Sequence, residues 1–351
     1  MAGDSPATVG TVVIGAGQAG LATAYHLAQR DQDFVVVEAA DRVGTSWRQR
    51  WDSLQLFTPA GFTRLPGLPF PADPDEYPGK DAVAHYLETY ARHFALPVEL
   101  ESPVTDVRRE GERFLVTAGG RSWRAGNVVL ASGAHHAPYV PAMAEELDPG
   151  IVQLHSRDYR RPGQLPAGPV LVVGAGNSGA EIALDVARDP AVRRQVSLAG
   201  RDVGVTPRLG RRTFPLFQRL GRFGAVLAWR ALRSGADPLG RVRPANLAAA
   251  GVERLPRVAG VRDGLPLLDD GRTVPAATVV WCTGLRPHYG WLRLDALDGA
   301  GRLRHRGGVV PGAPGLYAVG LPYQRSITSH LVGGVGADAR AVVDRLVARR
   351  R

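Results

Sequence analysis

Two glycine-rich turns, each closing a β-branched run, constrain this chain more than any other feature. The first reads Val12-Val13-Ile14-Gly15-Ala16-Gly17-Gln18-Ala19-Gly20. The second reads Val170-Leu171-Val172-Val173-Gly174-Ala175-Gly176-Asn177-Ser178-Gly179. Each is a strand, a tight G-x-G-x-x-G turn and the first residues of a helix. That geometry sets a dinucleotide pyrophosphate against backbone N–H groups and the positive end of the helix dipole. One such turn is a weak signal. Two in a chain of 351 residues imply two dinucleotides that exchange electrons, on an α/β fold with two Rossmann-like units.

The two turns are not equivalent. After the first, the pattern predicts a helix over about 19–29 and a strand over 34–38, ending in Glu38. A carboxylate at that point accepts hydrogen bonds from ribose hydroxyls and repels a 2′-phosphate, so the site suits FAD or NAD rather than NADP. After the second, a helix over about 178–188 and a strand over 195–199 lead into Gly200-Arg201, with no acid. Glycine leaves room and arginine supplies positive charge for a 2′-phosphate, which favours NADPH over NADH.

Composition narrows the class. The formal net charge is +10, but Lys80 is the single lysine among 43 basic residues. Such arginine bias fits a GC-rich genome, and no nucleic-acid-binding motif accompanies it. No apolar run approaches the roughly 18 residues that span a bilayer. The segment Met1–Gly10 carries Asp4 and no basic residue, unlike a signal peptide. One cysteine, Cys282, excludes an intramolecular disulfide and a C-x-x-C pair. The expected compartment is the cytoplasm, with a small-molecule substrate, no stable membrane insertion, and homodimer formation left open.

Further along the chain, helical spacing marks 81–93, and alternating stretches mark Val104–Arg109, Arg113–Ala118 and Asn127–Leu130. The last enters Ala131-Ser132-Gly133, either a close backbone approach to a cofactor or an ordinary tight turn. A comparable junction, Trp281-Cys282-Thr283-Gly284, ends the strand from Val279. Between Thr206 and Ser234 lies a basic stretch with helical apolar spacing, readable as a lid over the cofactor cleft or as a membrane-surface helix. The chain closes with a strand at Gly315–Gly320 and a helix over about 333–348. Adjacent His135-His136 rarely converge on one ion and lack an acid or cysteine partner, so no metal site is expected. Cys282 is read as a packing residue.

Taken in order, these motifs resemble the single-component, NADPH-dependent flavoprotein (class B) monooxygenases, above all their short bacterial members. The likeness covers essentially the whole chain. It rests on the first glycine turn with Glu38, Gly44-Thr45-Ser46-Trp47-Arg48, Tyr77-Pro78 before a helix, His155-x-x-x-Tyr159, Thr283-Gly284 and the closing strand at Tyr317–Gly320. The resemblance implies an FAD domain from 1–160 and 285–351, interrupted by an NADPH domain at 161–284 with a helical insertion near 206–248. It implies FAD on Gly15, Gly17, Gln18, Ala19, Gly20 and Glu38, with contacts from Gly44, Trp47, Arg48, Val104, Ala131, Gly133 and Gly320. It implies NADPH on Gly174, Gly176, Asn177, Ser178 and Gly179, with Arg201 near the 2′-phosphate and Thr283 and Gly284 alongside.

Two departures bear on the chemistry. The family fingerprint places a glycine four residues before the histidine, whereas Gly150 here precedes His155 by five and only H-x-x-x-Y is intact. The asparagine that many members place beside the flavin is absent from Trp51–Pro59, which leaves Thr58 or Gln55 as substitutes. With His155, these are the catalytic candidates, and a positional role suits His155 better than proton transfer. The implied reaction reduces FAD with NADPH, forms a flavin C4a-(hydro)peroxide with O₂ and oxygenates a small molecule, at nitrogen or sulfur first and at a ketone second. A reductase passing electrons to ferredoxin in the thioredoxin-reductase architecture is the rival enzyme, and a nucleotide-sensing redox regulator the non-catalytic one.

Overall fold

The computed structural model describes residues 5–133, 137–206 and 238–349. In its first third the elements are β1 (Ala7–Ile14), α1 (Gln18–Ala28), β2 (Phe34–Val37), α2 (Thr45–Arg48), α3 (Lys80–His93), β3 (Val98–Glu99), β4 (Val104–Glu110), β5 (Arg113–Ala118) and β6 (Arg121–Leu130). Then come β7 (Ala137–Pro138), β8 (Val152–His155), β9 (Val170–Val173), α4 (Asn177–Ala187) and β10 (Val196–Ala199). The rest comprises α5 (Pro244–Ala249), β11 (Glu253–Leu255), β12 (Val258–Arg262), β13 (Leu265–Leu268), β14 (Thr278–Trp281), β15 (Leu285–Arg286), β16 (Leu316–Ala318) and α6 (Val335–Arg349).

Two sheets organise these elements. The first runs β3-β2-β1-β6-β5-β4, with β16 beside the end of β6. Strands β1, β2, β3, β6 and β16 pair in parallel, while β4, β5 and the start of β6 form an antiparallel meander. Because a strand alternates its faces, Val13, Val36 and Val129 pack with Leu21, Leu87 and Leu346 of α1, α3 and α6. Their neighbours Val12, Ile14, Val35 and Val128 pack on the other face with Phe114, Leu292 and Leu316. Burial on both faces explains why β1 and β2 read as continuous apolar runs.

The second sheet, β11-β10-β9-β14-β8, is parallel throughout. Its α4 face buries Val170, Val172, Leu198 and Val280 with Ile182 and Val186. Its other face buries Leu171, Val173, Val279 and Trp281 with Leu147, Ile151 and Leu268 of the segments around β8 and β13. Each sheet thus carries one glycine turn at the end of a central strand. The chain is α/β with two Rossmann-like units, the second inserted into the first.

Several details depart from the sequence reading. Strand β8 joins the second sheet, pairing Thr278 with Val152 and Trp281 with His155, upstream of the boundary expected at 161. A four-residue edge strand with a mixed burial pattern leaves no strong periodicity. The third alternating stretch extends back to Arg121, and strands β11 to β13 were not anticipated. The segments connecting the two units, β7 and β15, pair antiparallel with each other. Of the insertion expected near 206–248, Leu239 bridges Val205 just ahead of it and α5 lies at its end. His135-His136 and the basic stretch at 207–234 lie outside the described residues.

The turn entering α6 is held by close backbone approach. A Cβ on Gly333 would stand 1.8 Å from the Phe62 carbonyl oxygen. Gly333→Ala is expected to destabilise the holoprotein by more than about 2 kcal/mol in urea unfolding. Gly163→Ala, with nothing within 4 Å of the new carbon, should change stability by no more than about 0.5 kcal/mol.

Candidate functional site

The two glycine turns are built alike. Gly15 has φ +102° and Gly174 has φ +111°, in the region where a side chain is strained. Each donates its N–H to the next strand, Gly15 to Val37 and Gly174 to Ala199, both at 2.8 Å. Each also abuts the small-residue junction ending the neighbouring strand. A Cβ would lie 3.0 Å from the Ala131 oxygen at Gly15 and 2.3 Å from the Cys282 oxygen at Gly174. Ala131 N–H donates to Ile14 and Cys282 N–H to Val173, so the two junctions, which reach Gly133 and Gly284 at φ +82° and +93°, are structural equivalents.

The third glycines pack against the first. A Cβ on Gly20 or Gly179 would stand 1.8 Å from the oxygen of Gly15 or Gly174. The middle glycines are the open ones: nothing lies within 4 Å of a Cβ on Gly17 or Gly176. These two are the N-caps of α1 and α4, and neither helix has a side-chain cap. The N–H groups of Gln18, Ala19 and Gly20, and of Asn177, Ser178 and Gly179, the first-turn donors of the two helices, therefore have no side-chain capping acceptor. That arrangement suits a pyrophosphate at both turns.

Charge separates the sites. Glu38 accepts from Ala16 N–H at 2.7 Å and Ala40 N–H at 3.0 Å, which draws its carboxylate against the first turn. Ser102 N–H donates to the Glu38 carbonyl at 2.7 Å, placing Val104 two residues beyond that contact. At the second turn, Gly200 has φ +151° and a Cβ there would meet Ala175 N at 2.8 Å. Arg201 is exposed beside it. A second arginine, not foreseen from sequence, joins it: Arg254 donates to the Leu198 carbonyl at 3.1 Å and the Gly200 carbonyl at 3.4 Å. Desolvation pushes the Arg254 pKa down, against the attraction of Asp202.

The Gly44–Arg48 segment has a packing role in this structure. Gly44 has φ +85°, and a Cβ there would lie 2.7 Å from the Ala84 oxygen of α3. Arg48 donates to the Val43 carbonyl and pairs with Glu88, both at 2.6 Å, and Trp47 packs on the first core. The guanidinium expected along a cofactor is thus engaged in locking α2 onto α3. Gly320, at φ +88°, is tied to the first turn, since a Cβ there would lie 2.7 Å from Ala19 Cβ.

The catalytic candidates divide. Thr58 is 4% exposed and its hydroxyl lies 2.9 Å from that of Thr63, inside its own loop. Gln55 is exposed and its Oε1 accepts from Arg241 at 3.0 Å. Arg241 also lies 3.5 Å from Glu181 of α4, so the trio links the 51–59 loop to the second unit. His155 uses both ring nitrogens on backbone: Nδ1 accepts from Arg157 N–H at 3.0 Å and Nε2 lies 3.1 Å from the Gly284 oxygen. The network assigns the neutral Nε2–H tautomer, and desolvation lowers its pKa. Tyr159 donates to Asp185 of α4 at 2.7 Å. Thr283 donates to the Tyr139 carbonyl.

Asn177 does more than open α4. Its Oδ1 accepts from Gly240 N–H at 2.8 Å and its Nδ2 donates to the Pro238 carbonyl at 3.2 Å. Asn177 and Glu181 are i,i+4 neighbours on the helix, a signal present in the sequence. Arg241 carries no such local signal, because only the fold brings it to Gln55. The Cys282 thiol is pushed up to about 12 by burial, so it remains protonated. Among the described residues no group of acids, histidines and cysteines could hold a metal, and no helix is long and apolar enough to cross a membrane.

Comparison with known proteins agrees with this geometry. Residues 12–207 match the family model described as pyridine nucleotide-disulphide oxidoreductase. A CzcO-like oxidoreductase of Geobacillus kaustophilus is 38% identical over 96% of this chain and 97% of its own. An indole-3-pyruvate monooxygenase of Oryza sativa subsp. japonica is 30% identical, covering 97% of this chain and 88% of its own. A flavin-containing monooxygenase from Stenotrophomonas maltophilia superposes with a TM-score of 0.81 at 29% identity, over 98% of this chain and all of that one.

Glu181 gives the site a titratable element. Desolvation, opposed by Arg241, pushes its carboxyl up from 4.5 to about 7. A raised carboxyl binds its proton more tightly in the folded state, so its contribution to stability is fully present below about 4.5 and is lost as pH rises toward 7. Glu181→Gln should therefore match the wild type in urea unfolding near pH 4.5 and exceed it by about 1–3 kcal/mol near pH 8. An identical difference at both pH values would contradict this account.

Proposed function

Since the chain belongs to the pyridine nucleotide-disulphide oxidoreductase family and is an NADPH-dependent flavin monooxygenase using FAD, we propose that it oxygenates a small organic molecule at nitrogen or sulfur. One observation carries the choice of oxygen transfer over disulfide chemistry. The family's dithiol reactions need two cysteines, whereas this chain has one, Cys282, with a buried thiol pushed up to about 12. Electrons entering from NADPH therefore have no protein disulfide to reduce.

The residues divide the work as follows. Glu38 and the N–H groups of residues 18–20 hold FAD by its ribose and pyrophosphate. The N–H groups of residues 177–179 hold the NADPH pyrophosphate, and Arg201 with Arg254 takes the 2′-phosphate. When bound, NADPH supplies hydride, and FAD accepts it and activates O₂. The protein's part is to orient and to exclude water. His155 is a positioning residue: it fixes the Gly284 carbonyl at the junction beside the second turn and moves no proton. Tyr159 secures α4 through Asp185. On this reading the FAD unit draws on both chain ends, and the NADPH unit starts near β8. The substrate is a modest apolar or aromatic amine or thioether.

Two measurements test this reading. With amines and thioethers as substrates, the holoenzyme should consume NADPH and O₂ in parallel and yield products heavier by one oxygen atom. Complete recovery of the electrons as H₂O₂, or their transfer to ferredoxin without an oxygenated product, would overturn it. Arg201→Ala should raise the KM for NADPH about tenfold or more while leaving that for NADH nearly unchanged, the scale of one lost charge-assisted contact. Equal effects on both coenzymes would remove Arg201 from the 2′-phosphate.

A further inference from the structure

One edge of β6 is shared by two strands. Residues up to Ala125 pair with β5, through Phe114↔Ala125, and residues from Val128 pair with β16, through Leu316↔Val128. At Gly126 and Asn127 the two neighbours part, and a crevice of about 500 Å³ opens there. Arg109 of β4, Arg113 of β5 and Arg349 of α6 line it, with Glu112 as the acid among its walls. Asn127 lies four residues before Ala131, about 13 Å along the strand from the first dinucleotide turn.

Two of the arginines are placed by neutral partners. Arg109 donates to the Glu112 and Pro314 carbonyls at 3.1 and 2.8 Å and lies 4.1 Å over the Phe114 ring. Arg349 donates to Oδ1 of Asn127 at 3.2 Å, and Asn127 is 1% exposed. Gly315 leaves the space for Arg349, since a Cβ there would lie 2.7 Å from its Nη1. Among the described residues, no carboxylate forms an ion pair with any of the three guanidiniums. Burial and the Arg349 charge both push the Arg109 pKa down, as expected for cations brought together without a counterion.

Three guanidiniums and one carboxylate leave a formal excess of two positive charges. The C-terminal end of α6 offsets only about half a charge. Fixed guanidinium forks match the oxygens of a phosphate better than a point charge would. The volume exceeds that of bare phosphate and admits the organic part of a small monoester.

We infer that this crevice binds a phosphate group, free or carried on a small monoester, at a site separate from both dinucleotide turns. The test uses FAD-loaded holoenzyme saturated with NADP⁺, so that the 2′-phosphate site is blocked. Inorganic phosphate and glycerol 3-phosphate are titrated calorimetrically at constant ionic strength. Saturable binding of at least one is expected, weakened about tenfold or more by Arg349→Gln and Arg109→Gln. Arg113→Gln, at an exposed side chain that holds nothing else in place, should weaken it without altering thermal stability. Arg345→Gln, on α6 outside the crevice, should leave it unchanged. Tighter binding of the monoester identifies the carried group as the ligand, and equal binding identifies free phosphate. No saturable binding, or equal losses in all four variants, would overturn the site.

Discussion

The close approach of each glycine turn to the strand junction beside it is the contact on which this structure depends. At both turns the first glycine must adopt positive φ, pass its N–H to one neighbouring strand and lie against the backbone oxygen of another. A side chain at any of these contacts would separate the central strand from its neighbours. The first N–H groups of α1 and α4 are left without a side-chain cap. A fold that paired those groups internally would be more self-sufficient and could not grip a pyrophosphate. Cofactor binding and sheet closure are therefore two consequences of one backbone path.

The two copies of that path differ in charge. In the first, Glu38 folds its carboxylate back onto the N–H groups of Ala16 and Ala40, which fixes a negative charge against the turn. In the second, the matching position is Gly200, and the charge comes from Arg201 and Arg254 instead. A carboxylate and two guanidiniums at equivalent places give opposite electrostatic demands at the two turns.

Much of this was legible in the sequence because its signals are local. Strand, turn, helix and acid sit within about thirty residues of one another in a βαβ unit, and both units announced themselves. The equivalence of Ala131–Gly133 with Cys282–Gly284 was half visible, since both are small-residue ends of strands, but only pairing with β1 and β9 explains it. What could not be read depends on distant chain segments meeting. Strand β8 is too short to show a period, and Arg241 meets Gln55 across 186 positions. Arg48 carries a family motif, yet its partner Glu88 is fixed by how α3 packs. Motif reading thus reaches the backbone path of the two turns, while the partners of individual side chains are decided by tertiary neighbours.

The seam between the units shows why those neighbours matter for function. Trp51 belongs by sequence to the first unit but is buried in the core of the second. Asp52 N–H bonds the Arg160 carbonyl, Gln55 reaches Arg241, and His155 grips the junction at Gly284. Each polar tie contributes about 1 kcal/mol, whereas burying an indole contributes several times that. The tryptophan therefore sets where the 51–59 loop sits, and the hydrogen bonds set its angle. Thr58 is held within that loop by Thr63. Its position relative to the second unit is thus tied to the burial of Trp51 and, through Gln55, to Arg241.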